Sequence, residues 1–226
     1  MIWVWTVSLP ITFLNSPAVN PSRASSPQPY AHPPFGTATD ILGTILYVIG
    51  LLLESLADAQ KFRFRTTVQS HDRTAICTKG VWAWSRHPNY AGEILLQFGI
   101  WLLVLAPAVS GIMDIGSGPT AALAASVVGP LLSTVLLLFV SGLPLQERPG
   151  AEKRWKRSVQ GGESEGEGGD GGKEWRAYET YLKNTSILIP MPQAVWSRLP
   201  VSVKRTVGCE WPMYVFTPPK EGAGNV

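Results

Sequence analysis

The sequence carries little charge for its length. Only 15% of its 226 residues are charged and 45% are hydrophobic, whereas about a quarter of the residues are charged in an ordinary soluble domain. The net charge of +3 is small, so no nucleic-acid partner is expected. Together with nine tryptophans, which favour membrane interfaces, these figures predict an integral membrane protein in contact with the lipid bilayer.

Site patterns that depend on cysteine, histidine or a phosphate-binding loop are also missing. Cys77 and Cys209 have no metal-ligand spacing, and His32 and His71 are isolated, so no metal site is expected. The two cysteines are expected to be unpaired thiols on a reducing side of the membrane. The sequence has no P-loop motif. The chemistry must therefore reside in other polar residues.

Long apolar stretches are what the sequence has instead. A membrane-spanning helix needs about 20 residues, and helices of at least that length are predicted over residues 41–65, whose apolar part is residues 41–53, and over residues 88–109 and 121–140. Asp40 is expected to cap the first helix, and Pro88 to lie in the first turn of the second. Residues 1–14 are interpreted as the last part of a membrane helix. The predicted fold class is all-α, a polytopic bundle of membrane helices.

Helix-breaking and polar residues divide the chain into a membrane domain, an insertion and a tail. Residues 1–192 are expected to form one membrane domain. Within it, the Gly/Glu-rich residues 159–173 are expected to be a disordered insertion. A short amphipathic helix is predicted over residues 174–183. Residues 193–226 show no strong period and are expected to be a flexible C-terminal tail.

Basic residues predict the topology. Lysine and arginine are frequent in residues 61–86 and 148–157, whereas residues 110–120 contain none. Because cytoplasmic loops are enriched in these residues, both basic regions are expected to face the cytosol. The polar segments at residues 54–65, 85–93 and 141–148 then open to that side.

Acidic and basic residues share one face at the end of the first long helix. Glu54, Asp58, Lys61 and Arg65 are spaced by four, three and four residues. Acids beside a lipid-compatible run usually line a cavity or pair with a base, so these residues could form a polar pocket. The alternative is an interfacial stripe of solvated charge.

A denser group of polar residues follows at residues 86–93. Arg86 can bind an anion with two donors, and the helix start at Pro88 offers free N–H groups to a phosphate. Asn89 can both donate and accept hydrogen bonds, and Tyr90 offers a ring and a hydroxyl. The alternative is a helix cap with interfacial polar residues.

Two further pairs of residues could belong either to a site or to the surface. Glu147 and Arg148 form either a surface ion pair or part of a site. Tyr178 and Tyr181 are expected to pack the C-terminal helix onto the membrane interface.

Four motifs in this order identify a resemblance. They are Glu-x-x-x-Asp-x-Gln at residues 54–60, Ser-Arg-His-Pro-Asn-Tyr-x-Gly-Glu at 85–93, Ser-Gly-x-Pro-x-x-Glu at 141–147, and Tyr-x-x-Tyr followed by Ile-Pro at 178–190. With these motifs the chain resembles the steroid 5α-reductase C-terminal superfamily over residues 1–192. It is most similar to an uncharacterised membrane branch of that superfamily. Relatives carry further N-terminal helices that supply the substrate-polarising groups, so this chain is expected to lack them, and no catalytic residue is assigned.

The resemblance implies an activity and a set of site residues. Such relatives reduce a carbon–carbon double bond in a small lipophilic substrate, with NADPH bound at the cytosolic ends of the last helices. The expected location is the endoplasmic reticulum membrane, from the low-complexity insertion and the lack of a targeting signal. The cofactor-binding residues implied at matching positions are Asp58, Lys61, Arg65, Arg86, His87, Asn89, Tyr90, Glu93 and Tyr181.

Two other functions stay open. Isoprenylcysteine and related lipid methyltransferases have a similar Arg-His-Pro-x-Tyr-x-Gly segment but bind S-adenosylmethionine. Asn89 with Glu93 favours the reductase, and so does Arg148 after Glu147, where a doubled acid would favour the methyltransferase. The other possibility is a membrane protein without catalytic activity.

Overall fold

The computed structural model describes residues 2–17, 19, 35–109, 116–160 and 172–219, and these residues are mostly helical with no β-strand. The prediction of an all-α fold is therefore confirmed. The chain divides into two compact units, residues 1–54 with 91–136 and residues 55–90 with 137–226. The expected insertion at 159–173 lies largely outside the described residues.

Ten α-helices follow one another along the described chain. They are α1 Ile2–Val7, α2 Leu9–Leu14, α3 Ala38–Thr67, α4 Pro88–Val109, α5 Ser117–Ala125, α6 Val128–Val135, α7 Leu143–Gln160, α8 Lys173–Asn184, α9 Gln193–Trp196 and α10 Val201–Thr206. A π-helical turn, Leu136–Val140, joins α6 to the segment before α7. The predicted starts of α4 at Pro88 and of α8 near Glu174 are confirmed.

Three helical stretches are long and apolar enough to cross a membrane. They are Ala38–Thr67, Pro88–Val109 and the 43-residue stretch Ser117–Val159, which contains the span predicted at 121–140. Many apolar side chains of α3 are exposed in the isolated chain, for example Leu52 and Ile49. Lipid can cover such a face without cost, so these helices identify an integral membrane protein.

Glycines bring α3 and α4 into backbone contact in the first unit. A Cβ added to Gly50 would lie 2.5 Å from the backbone nitrogen of Leu96, and one added to Gly99 would lie 2.5 Å from the backbone nitrogen of Tyr47. Gly43 faces Gly99 in the same way, and its Cβ would lie 2.9 Å from the Gly99 carbonyl oxygen. Small residues let membrane helices approach this closely, and the gain in van der Waals contact holds them together where lipid offers no hydrophobic driving force.

The start of α3 corrects the expected cap. Asp40 was expected to be the N-cap, but α3 begins at Ala38. Thr37 takes that position: its Oγ1 accepts from the Asp40 backbone N–H at 3.1 Å, while Asp40 Oδ2 accepts from the Thr37 backbone N–H at 3.0 Å. This reciprocal pair is a capping box, in which the acid lies three residues after the cap.

The described residues of the second unit include 193–219 near the C-terminus. The sequence predicted a flexible tail from residue 193, because no periodic apolar face is present there. Among the described residues of this segment, the structure has α9, α10 and a 3₁₀ turn, Pro212–Tyr214. Trp196 is fully buried and Tyr214 nearly so. Single aromatic anchors, which leave no period in the sequence, hold these residues.

We expect Gly50→Ala to destabilise the protein strongly, since the new methyl group would collide with the backbone of α4 rather than with a movable side chain. Gly118→Ala in α5 is the matched control, because nothing lies within 4 Å of its added Cβ. The control should be neutral or stabilised by up to about 1 kcal/mol, the helix preference of alanine over glycine. Thermal unfolding of the detergent-solubilised proteins measures both, and equal midpoints would contradict the close approach of the two helices.

Candidate functional site

A short parallel pairing positions the segment that precedes α4. Ser85 and Ser186 form a β-bridge, and the backbone N–H of Arg86 donates to the Ser186 carbonyl at 2.8 Å. The Ser85 hydroxyl donates to the Leu188 carbonyl at 2.8 Å and accepts from the His87 backbone N–H at 3.1 Å. Both serines are fully buried. The Ser-Arg-His sequence is thereby fixed by residues that lie about a hundred positions later in the chain.

Arg86, His87 and Glu147 form a buried charged cluster. One terminal nitrogen of Arg86 donates to Glu147 at 2.5 Å, and His87 Nε2 lies 2.6 Å from the other Glu147 oxygen. The second terminal nitrogen of Arg86 donates to Glu210 at 2.8 Å. Glu147 is only 5% exposed. A buried carboxylate is stable only when charged partners satisfy it, so α7 is fixed to the segment before α4 by this cluster.

The cluster decides between the two interpretations of Glu147. A surface ion pair with Arg148 is wrong, because Glu147 is buried and Arg148 is exposed. Arg86 was expected to bind an anion with two donors. Its two terminal nitrogens already bind carboxylates of the protein, those of Glu147 and Glu210.

A cavity of about 830 Å³ opens beside this cluster in the second unit. Most of the residues predicted for the site line it, namely Asp58, Lys61, Arg65, Arg86, His87, Asn89 and Tyr181. The volume falls within the range of roughly 300–1,000 Å³ that is usual for small-molecule sites. The spacing of Asp58, Lys61 and Arg65 on α3 therefore corresponds to one wall of a cavity, and not only to a stripe of solvated charge.

Tyr90 and Glu93 have other surroundings. The Tyr90 ring stacks on the His87 ring with centroids 5.1 Å apart, and its hydroxyl accepts a hydrogen bond from Gln146. Glu93 belongs to the first unit, where its carboxylate accepts from the side-chain amide of Gln97 at 2.9 Å. Tyr90 thus packs against the ring of His87, and Glu93 orients the Gln97 side chain on α4.

The cavity wall carries more positive than negative side chains. Lys61, Arg65, Arg86, Lys153 and Arg154 line it, against Asp58 and Glu147. Arg154 is paired with Glu174 at 2.9 Å, and the Lys61 ammonium lies 4.4 Å from the centroid of the Trp82 ring. Arg65 and Lys153 are exposed and have no ion-pair partner within the described ranges. Cations left in this state favour an anionic ligand.

Neutral polar groups complete the wall. Asn89 Oδ1 is buried and accepts no hydrogen bond from the described residues, so it is an acceptor without a donor. The Tyr181 hydroxyl donates to the Trp82 carbonyl at 2.8 Å. Burial raises the pKa of the Tyr178 phenol to about 12, and Tyr178 also lines the cavity. Tyr178 therefore keeps its O–H proton at neutral pH and can donate it to a ligand.

Some of the residues that line the cavity were not predicted from the sequence. Lys153 and Arg154 looked like part of a charged segment after the last span, and the tyrosines of α8 looked like interfacial packing. Glu210, which contacts Arg86 but does not line the cavity, lies in a segment without any motif. Two groups could have been found: Glu147, from its place in the Ser-Gly-x-Pro-x-x-Glu motif, and Tyr178, from its spacing of three residues to Tyr181 on one helix. In the described part of the chain, no group of His, Cys, Asp and Glu residues could hold a metal ion.

Glu147→Gln should lower the free energy of unfolding by about 3 kcal/mol, since it leaves the buried Arg86 guanidinium with only one carboxylate. The matched control is Glu152→Gln, on the same helix, which removes an exposed ion pair with Lys156 and should have no measurable effect. Chemical denaturation in a mild detergent measures the difference. A Glu147→Gln protein as stable as the control would show that the cluster does not fix α7.

The comparisons with known proteins give one match. No curated protein and no solved structure matches the chain. The family described as "Protein of unknown function (DUF1295)" matches residues 1–159, which include α3, α4 and most of α7 and therefore most of the cavity wall. The match does not reach α8 or the residues that follow it. The chain accordingly belongs to the DUF1295 family, a steroid 5α-reductase-like family of membrane proteins whose function is not established.

Proposed function

We propose that the protein is a membrane-embedded, NADPH-dependent reductase of a carbon–carbon double bond in a sterol or another lipid. The family and the membrane-spanning helices agree with this class of enzyme. The observation that carries the proposal is the cavity of about 830 Å³, whose wall combines unpaired cations with an unsatisfied amide oxygen. Such a wall suits a ligand that has both phosphates and a carboxamide.

The residues fit NADPH group by group. Arg65 and Lys153 are free to bind phosphate oxygens, which is the role that arginine and lysine have in many phosphate sites. Asn89 Oδ1 needs a donor, and the nicotinamide carboxamide or the adenine amine supplies one. Arg86 is held by two carboxylates, so its first role is to fix His87 and Glu147 at the wall.

Bound NADPH would supply a hydride for the reduction. The protein's part is to exclude water, to orient the double bond and to polarise a conjugated carbonyl so that negative charge can develop on its oxygen. Tyr178 is the proposed donor for this purpose, because its phenol stays protonated and lines the cavity. We place the site on the cytosolic side of the endoplasmic reticulum membrane, in agreement with the basic residues that surround it.

S-adenosylmethionine is the alternative cofactor, and charge argues against it. It carries a sulfonium and an ammonium group, whereas the wall presents an excess of lysine and arginine side chains. Like charges in a partly enclosed site repel each other more strongly than in water. A protein without catalytic activity is the remaining alternative and requires that neither cofactor is turned over.

NADPH should raise the unfolding temperature of the detergent-purified protein, because a ligand that binds only the native state stabilises it by mass action. We expect Arg65→Gln to weaken NADPH binding roughly tenfold, the loss of one charge-assisted hydrogen bond. Arg63→Gln is the matched control, since Arg63 is an exposed arginine of the same helix that does not line the cavity.

The competing outcomes are distinct. Stabilisation by S-adenosylmethionine but not by NADPH would replace the reductase with a methyltransferase. Equal weakening in Arg65→Gln and Arg63→Gln would mean that NADPH is attracted by the general charge of the protein and not bound in this cavity. No response to either cofactor would leave the protein without catalytic activity as the better account.

A further inference from the structure

The C-terminal segment, defined here as residues 193–219, places an acid on the central arginine of the site. Glu210 accepts a hydrogen bond from a terminal nitrogen of Arg86 at 2.8 Å. The segment lies outside the family match, which ends at residue 159. Arg86 lines the cavity although Glu210 does not, so the acid competes for a donor that an anionic ligand of Arg86 would also use. The question is whether Glu210 is a fixed brace or a removable occupant.

The segment is anchored on both sides of Glu210. Before it, Trp196 is fully buried and the Lys204 ammonium lies 5.2 Å from the centroid of its ring. After it, the Trp211 ring stacks on the Phe139 ring with centroids 4.8 Å apart. The Tyr214 hydroxyl donates to the Leu138 carbonyl. Glu210 can therefore leave Arg86 while the anchors keep the segment on the protein.

Between these anchors the backbone is strained. Cys209, the residue before Glu210, has a φ of 57° and is the single non-glycine residue with a positive φ in the described chain. Left-handed backbone is unfavourable for a residue with a Cβ and persists only where the surroundings enforce it. The Glu210 backbone N–H donates to the Lys204 carbonyl at 3.0 Å, so the left-handed residue closes the C-terminal end of α10.

The carboxylate itself is in an unfavourable position. Burial raises the pKa of Glu210, against the attraction of Arg86, so the charged form is disfavoured there. The Glu210 side chain keeps 23% of its surface exposed, whereas that of Glu147 keeps 5%. Of the two carboxylates on Arg86, Glu210 is thus the one that can leave at lower cost.

Arg86 would gain from a different partner. Its Nε is buried and has no hydrogen-bond partner in the described chain. A single Glu210 oxygen satisfies one donor, whereas a phosphate or a carboxylate held in fork geometry can bind two donors of the guanidinium at once. A phosphate also brings more charge than the carboxylate that it would displace.

We propose that the C-terminal segment is an autoinhibitory latch, in which Glu210 holds a terminal nitrogen of Arg86 until a phosphate group in the cavity takes that donor from it. The latch keeps Arg86 satisfied in the empty site and makes the bound ligand compete with the protein's own carboxylate. It rests on the proposed function only in requiring an anionic ligand, and it applies to any phosphate-bearing molecule that enters the cavity.

The experiment uses the intact 226-residue chain in detergent, with inorganic pyrophosphate and NADPH as probes. Glu210→Gln keeps the shape of the side chain and removes its charge. Because the apparent affinity is reduced by the fraction of protein in the closed state, we expect this variant to bind pyrophosphate about threefold to tenfold more tightly. Glu179→Gln is the matched control, since it removes an exposed carboxylate paired with Lys183, and its affinity should not change.

A second measurement needs no variant. Trypsin can cut the segment at Arg198, Lys204 and Arg205, and intact-mass analysis follows the loss of the C-terminus. Pyrophosphate should accelerate this cleavage in the wild-type protein, because displacement of Glu210 loosens the segment between its anchors. Protection by pyrophosphate would identify a brace instead and overturn the latch, even where Glu210→Gln fails to fold.

The outcomes separate the latch from the proposed cofactor. Pyrophosphate binding that responds to Glu210→Gln, without any NADPH binding, would keep the latch and reject the reductase. NADPH binding with unchanged cleavage and unchanged affinity in Glu210→Gln would reject the latch and keep the reductase. Failure of both probes to bind the wild type and the variant would show that Arg86 is not an anion site and would overturn the latch.

Discussion

The buried contact of Arg86 with Glu147 is the interaction on which the second unit depends. It joins the segment before α4 to α7, two parts of the chain about sixty residues apart. Burying either Arg86 or Glu147 alone would cost much free energy. The two are stable in the interior because they contact each other and are contacted by His87 and Glu210. The same contact sets the orientation of His87 and determines which donors of Arg86 face the cavity. Site geometry and local stability are therefore one property in this unit.

The first unit is held by a different kind of interaction. Gly43, Gly50, Gly92 and Gly99 let two apolar helices meet backbone to backbone. In lipid, burial of apolar surface between helices gains nothing, because lipid chains are equally apolar, and contact must come from close packing. The glycines remove the side chains that would keep the helices apart. This explains why α3 has an exposed apolar face and yet forms a defined pair with α4.

The cavity shows how a polar site can exist in so apolar a chain. Asp58, Lys61 and Arg65 occupy the polar end of a helix that begins as a membrane span. The residues facing them come from α7 and α8, which are rich in charge and low in apolar content. Several of these charges neutralise one another, as Arg154 does with Glu174, and the remaining cations give the cavity its sign. That sign, and not the volume, distinguishes a phosphate-bearing ligand from a cationic one.

The helices, and the polar residues that share one helix face, could be predicted from the sequence alone. Apolar length and composition give the spans, a proline gives the start of α4, and helical spacing places Asp58, Lys61 and Arg65 on one face. These are local properties, because helix geometry relates residues three or four apart. The role of Glu147, the cavity side of α8 and above all the contact of Glu210 with Arg86 required the tertiary structure. Residues 86 and 210 meet only because the chain folds back across 124 positions, and no period in the sequence records which distant charge a buried arginine will find.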